Sequence, residues 1–224
     1  MTRIYFVRHG EAEGNVMRRF HGYYNSPLTE NGREQVRLLG ERFRDIEVDI
    51  IYSSDLRRAH HTALGISRAK NDMPVIKRKA LREINGGKWE DVPWDDLTTL
   101  FSEHYETWLN SPHKLQMPEG ENMWEFQARL LAEVDGICTE NNGKNICVVT
   151  HGTAIKVLLC EYLGVGLEGF NQVCWCDNAS ITVVEIRDGK YNVTVEGDNS
   201  HLGDTGTIEK QNWWKNTEGG QDIC

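Results

Sequence analysis

Two short apolar runs, separated by most of the chain, end alike. Ile4-Tyr5-Phe6-Val7 passes into Arg8-His9-Gly10, and Ile146-Cys147-Val148-Val149-Thr150 passes into His151-Gly152. Runs this short and this apolar fit strands covered on both faces, the condition of a sheet between two layers of helices. The sequence between them keeps the same rhythm. Residues 50–53 read as a further strand and 73–76 lead to a short extended segment. Val36, Leu39 and Phe43 recur at helical spacing behind Thr29, a residue type that caps helices, and 56–68 read as another helix. Leu130, Leu131, Val134 and Cys138 mark a helical face ending near Asn141-Asn142-Gly143, and residues 154–163 are helical in pattern. Two β-rich runs across 180–195 flank Asp188-Gly189, a tight-hairpin signal. The pattern predicts an α/β fold: a three-layer α/β/α sandwich whose mainly parallel sheet carries an antiparallel edge strand.

Charge narrows the partners. The 224 residues hold 25 Lys and Arg against 34 Asp and Glu, a formal charge of −9, which disfavours nucleic acid and anionic membrane surfaces. The opening residues MTRIYFVRHG meet charge too early for a signal peptide, and no run approaches the length of a membrane span. Most of the six cysteines stand singly in apolar segments without a CxxC pair, the usage of free thiols in a reducing cytoplasm. Cys174-Trp175-Cys176 reads as alternation in an extended segment, not as a redox pair. His60 and His61 are adjacent and cannot share one helix face, so no metal site is expected there or elsewhere.

The chemistry concentrates at strand ends. Both histidines lie just past the carboxyl end of a strand, where open α/β sheets form their ligand crevice, and the glycine after each lets the backbone turn and leaves room for a ligand. Ser53-Ser54-Asp55-Leu56-Arg57-Arg58-Ala59 runs from a third strand end into a helix, where an arginine fork and helix-start amides suit an anion. Leu81-Arg82-Glu83-Ile84 and Gly86-Gly87-Lys88-Trp89-Glu90 follow.

In this order these pieces resemble the histidine phosphatase superfamily, which includes cofactor-dependent phosphoglycerate mutases and many small-molecule acid phosphatases. The resemblance runs through Arg8-His9-Gly10-Glu11 with Asn15, Pro27-Leu28-Thr29 with Gly32, the Ser53 to Ala59 motif with Thr62-Ala63, then Leu81, Glu83, Gly87, Trp89 and Glu90, and Thr150-His151-Gly152. It implies that His9 attacks phosphorus, that Arg8, Arg58 and His151 surround the phosphate oxygens, and that Glu83 protonates the leaving oxygen. Asn15, Gly22 and Gly152 match positions that contact phosphate or substrate. No metal or other cofactor is implied. Elementary electrostatics agrees with these roles. An imidazole attacks only when neutral, and Arg8, Arg58 and a protonated His151 would each oppose a second charge on His9. Glu83 must hold its proton near neutral pH, which asks for burial or a bound phosphate. Ala12 where Thr or Ser is usual, Asp91 where Gly commonly follows Trp-Glu, and Glu119-Gly120-Glu121-Asn122 depart from the family pattern at positions that bear on specificity.

The expected domain covers residues 1–204, with a helical insert over the active site at about 91–123, and a polar tail follows at 205–224 whose apolar anchor is Trp213-Trp214. Within the insert, Leu97, Leu100 and Phe101 predict one amphipathic helix between Trp94 and Trp108. Trp94, Phe101 and Trp108 fall on one side of it and are expected mostly to pack on the core. Asp91, Asp95, Asp96, Glu103 and Glu106 face a single cation, Lys114, between residues 91 and 116. That balance disfavours a bis-phosphorylated ligand and so favours hydrolysis of a small phosphorylated metabolite over mutase chemistry. A phospho-ligand binder without turnover is the third reading, disfavoured because nucleophile and acid are both present. A homodimer is compatible with the sequence.

Overall fold

Side chains alternate across β1 (Thr2–Arg8): Ile4 and Phe6 enter one apolar cluster, while Tyr5 and Val7 enter another on the opposite face. β4 (Asn145–Thr150) divides in the same way, with Ile146 and Val148 on the first side and Cys147 and Val149 on the second. The computed structural model describes residues 1–206, so Trp213-Trp214 and Cys224 lie outside it.

β2 (Ile50–Ser53), β3 (Val75–Lys77), β5 (Ile181–Arg187) and β6 (Lys190–Asp198) complete a six-stranded sheet of order β3-β2-β4-β1-β5-β6. β3, β2, β4 and β1 are parallel, and the β5–β6 hairpin runs antiparallel along one edge. Its turn places Asp188 and Gly189 at φ of 50° and 72°, the left-handed conformations that a tight hairpin turn demands. The expected α/β fold is present.

Helices cover both faces. α2 (Glu30–Phe43) and α3 (Arg57–Ala69) bury Leu39, Phe43, Ala59, Ala63 and Ile66 on one side. α6 (Met123–Glu140) and α7 (Gly152–Tyr162) bury Phe126, Leu130, Val134, Ile155 and Leu159 on the other. Thr29 caps α2, its hydroxyl accepting the Gly32 N–H at 2.9 Å. A short helix, α1 (Glu13–Met17), lies between β1 and α2.

The insert differs from expectation. In place of one helix, α4 (Trp94–Leu100) and α5 (Ser102–Asn110) meet at Phe101, whose φ of −139° and ψ of 43° break the helical path. The break serves packing. Phe101 and Trp94 each lie against Trp89, with ring centroids 6.3 and 6.4 Å away, and Trp108 reaches Phe170 and Trp175 at 5.8 and 6.4 Å. The break also folds Trp108 back to 6.1 Å from Trp94, residues that one straight helix would hold about 21 Å apart. Leu202 is buried, and the Thr205 carbonyl accepts hydrogen bonds from Gln35 and Asn31 of α2, so the start of the polar segment is docked. No helix among the described residues is long and apolar enough to cross a membrane.

Candidate active site

Register builds the site. β1 and β4 pair Arg8 with Thr150, so the next residue of each strand, His9 and His151, emerges at the same level. Their ring centroids are 5.2 Å apart. β2 pairs Ser53 with Val149, which brings Ser54 up beside His151. Arg58 arrives from the first turn of α3, and Glu83 from the loop beyond β3.

His9 is buried at 5% exposure and oriented from three sides. Its Nδ1 lies 2.8 Å from the Gly10 carbonyl. That oxygen can only accept, so Nδ1 carries the proton and Nε2 presents a lone pair. Arg58 Nε donates to that Nε2 at 3.1 Å. The backbone is clamped by Asn178, whose Nδ2 donates to the His9 carbonyl at 2.9 Å. Burial, then Arg58 and then Arg8, hold the imidazole well below its ordinary value of 6.5. The sequence points to the arginines, but loss of solvent is the larger cause.

Arg58 is itself fixed by backbone. Nη1 donates to the Tyr24 carbonyl at 2.8 Å, and Nη2 to the His21 and Gly22 carbonyls at 3.0 and 2.8 Å. Burial lowers its pKa to about 10, so it stays charged at neutral pH. The carbonyl cradle is held in turn by Glu90, whose carboxylate accepts the Tyr23, Tyr24 and Gly86 amides at 2.7, 2.7 and 2.9 Å. Gly22 permits the approach: a Cβ there would stand 2.1 Å from the Ile84 carbonyl and 2.5 Å from Glu90 Oε1. His21 braces the same loop through Ser26 at 2.9 Å and Asp91 at 3.1 Å.

Arg8 is also buried, with Nη1 donating to the Cys176 carbonyl at 2.6 Å. Its Nε and the Nδ1 of His151 have no hydrogen-bond partner among the described residues. A Cβ on Gly152 would lie 3.2 Å from Arg8 Nε, so a side chain there would crowd the guanidinium. His151 Nε2 is 2.9 Å from Ser54 Oγ. Burial, Arg58 and His9 keep this second imidazole neutral as well, so the protonated His151 entertained from the sequence is not the form this site favours.

Glu83, buried at 8% exposure, accepts the Ile84 amide on Oε1 and the Thr153 amide on Oε2, both at 3.0 Å. Thr153 lies in the first turn of α7, which sets the carboxyl beside the start of the helix that follows His151. Burial raises its pKa although both amides favour the ionised form. Arg129 steadies the loop, donating to the Ala80, Arg82 and Glu83 carbonyls while forking onto Glu121 at 2.7 and 2.8 Å.

Arg8, His9, Arg58, Glu83, His151 and Gly152 therefore converge. The Oδ1 of Asn15 accepts the Ala12 amide at 2.9 Å, at the start of α1. Gly22 meets Arg58 through its carbonyl oxygen. Sequence reasoning missed the tasks of Ser54, Asn178 and Glu90. Ser54 and Glu90 stand inside the motifs quoted above, whereas Asn178 carries no local signal. Among the described residues no cluster of three or more His, Cys, Asp or Glu could hold a metal ion.

The sequence model of the histidine phosphatase superfamily (branch 1) matches residues 4–199. Phosphoserine phosphatase 1 of Hydrogenobacter thermophilus is 30% identical over 207 residues, 91% of this chain and 96% of that protein. A probable phosphoglycerate mutase GpmB of Yersinia pestis is 36% identical over 165 residues, 74% of this chain and 76% of that protein. Among solved structures, YhfR of Bacillus stearothermophilus superposes with a TM-score of 0.86 at 33% identity, covering 90% of this chain and all of that one.

Proposed function

The chain belongs to the histidine phosphatase superfamily, and on that premise we propose that it hydrolyses small phosphomonoesters in two steps through a phosphohistidine at His9. It is an enzyme of the phosphomonoesterase class. The observation that carries the mechanism is the pair of opposed environments: an imidazole held well below its ordinary pKa with its Nε2 facing Arg58 Nε, and a carboxyl whose pKa burial raises.

In the first step His9 Nε2 attacks phosphorus as the Arg58 Nε–H turns from Nε2 to a phosphoryl oxygen. Arg8, Arg58 and His151 stabilise the equatorial oxygens, where charge develops. The ester P–O bond breaks, and the leaving oxygen takes the Glu83 proton. In the second step the Glu83 carboxylate accepts a proton from water, which attacks phosphorus, releases phosphate and restores His9. No step requires a metal. The reading includes a catalytic domain over residues 1–204 and a cytoplasmic enzyme, in keeping with the free Cys138, Cys147, Cys160, Cys174 and Cys176.

Hydrolysis is favoured over mutase chemistry by the charges beside the loop that holds Arg58. Arg19 and His21 contact Asp91 at 2.7 and 3.1 Å, and Arg18 contacts Asp95 at 2.9 Å. Arg18 and Arg19 are thus already paired with acids of the insert and do not offer a second phosphate an unshared counter-charge. A panel of phosphomonoesters assayed without added metal or bisphosphoglycerate should release inorganic phosphate. Interconversion of phosphoglycerates that depends on bisphosphoglycerate, or phosphate binding without turnover, would overturn the reading.

A further inference from the structure

Hydrogen-bond accounting around Ser54 gives it a task at the second histidine. The hydroxyl is fully buried. It meets two groups among the described residues, the Leu56 amide at 3.3 Å and His151 Nε2 at 2.9 Å. The amide can only donate, so it takes one lone pair of Ser54 Oγ. The serine proton then has one acceptor within reach, the ring nitrogen. If His151 instead carried its proton on Nε2 and donated it to Ser54, the buried serine proton would have no acceptor, a cost comparable to a lost hydrogen bond.

We propose that Ser54 is a positioning residue that donates to His151 Nε2 and so fixes the neutral ring as the Nδ1–H tautomer. Nδ1 is the ring nitrogen left without a protein partner in the buried cluster with Arg8 and Arg58. Fixed this way, a neutral imidazole presents a donor, and not a repelling lone pair, to a phosphoryl oxygen. His151 thereby contributes a hydrogen bond without adding a third positive charge beside His9. Burial and the neighbouring Arg58 and His9, which keep His151 uncharged, suit this arrangement. The inference rests on the reading of this cluster as a phosphoryl site, but the tautomer itself is measured without any ligand.

The test is a long-range proton–nitrogen spectrum of the full-length protein labelled with 15N-histidine, near neutral pH and without phosphate, with His151 assigned by its absence from His151→Gln. The expected result is a protonated Nδ1 and an unprotonated Nε2. A protonated Nε2 in the wild-type protein overturns the proposal by itself, whether or not any variant folds, and leaves the nucleophilic role of His9 untouched. Binding of inorganic phosphate and orthovanadate supplies the second arm. Ser54→Ala should populate the other tautomer and weaken both ligands roughly 10- to 100-fold, the loss expected for a hydrogen bond to a charged acceptor. Ser54→Thr, which keeps the hydroxyl, should restore both spectrum and affinity. Unchanged affinity in a folded Ser54→Ala protein overturns the proposal.

Discussion

Replacing Arg58 by Gln should move the pH profile of kcat/KM upward, and the direction follows from the proton count. The active form needs His9 neutral and Glu83 protonated at once. With ordinary values of 6.5 for the imidazole and 4.5 for the carboxyl, the wrong group holds the proton, and the active form is about 1% of the singly protonated pair. The site corrects this from both ends: burial and then Arg58 and Arg8 lower His9, while burial raises Glu83. Arg58 Nε sits 3.1 Å from His9 Nε2. Unit charges about 4 Å apart interact by about 4 kcal/mol at an effective dielectric constant of 20, and each tenfold change in an equilibrium is about 1.4 kcal/mol. Relaxation and entering water will reduce that, so the acidic limb, set by loss of the His9 proton, should rise by at least about one pH unit. The alkaline limb, set by Glu83, should rise too, because Arg58 also favours the Glu83 carboxylate. Arg58→Lys keeps a charge and loses the fork, so its acidic limb should stay closer to wild type while kcat/KM falls roughly 10²- to 10³-fold in both variants. The assay is phosphate release at constant ionic strength with one phosphomonoester throughout, so that the substrate's own ionisation cancels between variants. An acidic limb that stays in place or moves down in a folded Arg58→Gln protein would refute the reasoning.

Further outcomes follow from the same geometry. Glu83→Gln should lower kcat roughly 10²- to 10⁴-fold for alkyl phosphates and much less for aryl phosphates, whose leaving oxygen needs no proton; equal losses on both would remove Glu83 from the acid role. Glu90→Gln puts an amide where three backbone N–H groups need acceptors and should lower kcat/KM about tenfold through Arg58. In the Arg58→Gln background it should cost little more, and full additivity in this double-mutant cycle would disconnect Glu90 from Arg58.

The parts legible in the sequence are those whose chemistry is carried by side-chain type and strand position. His9 and His151 announce themselves because each follows an apolar run ending in a His-Gly turn, and the register of β1 with β4 converts that likeness into a 5.2 Å pair. Arg58 and Glu83 stand in recognisable motifs, and burial moves His9 down and Glu83 up, the directions that the chemistry asks for. Less legible is whatever depends on backbone atoms brought from afar. Arg58 is gripped by carbonyls, Glu90 grips amides, and any residue can supply either group. Asn178 reaches the His9 carbonyl from 169 residues away. The break at Phe101 is likewise a tertiary effect: the aromatic stripe of 94–108 is compatible with one helix, but packing on Trp89 and Phe170 folds Trp108 back against Trp94.

The central claim is tested most directly by trapping the intermediate. A single turnover with a radiolabelled phosphomonoester, quenched in alkali and digested, should leave an acid-labile, base-stable label on the peptide that carries His9. His9→Ala, still folded by circular dichroism, should show neither label nor turnover. Label on His151 or Ser54, or turnover persisting in His9→Ala, would contradict the account.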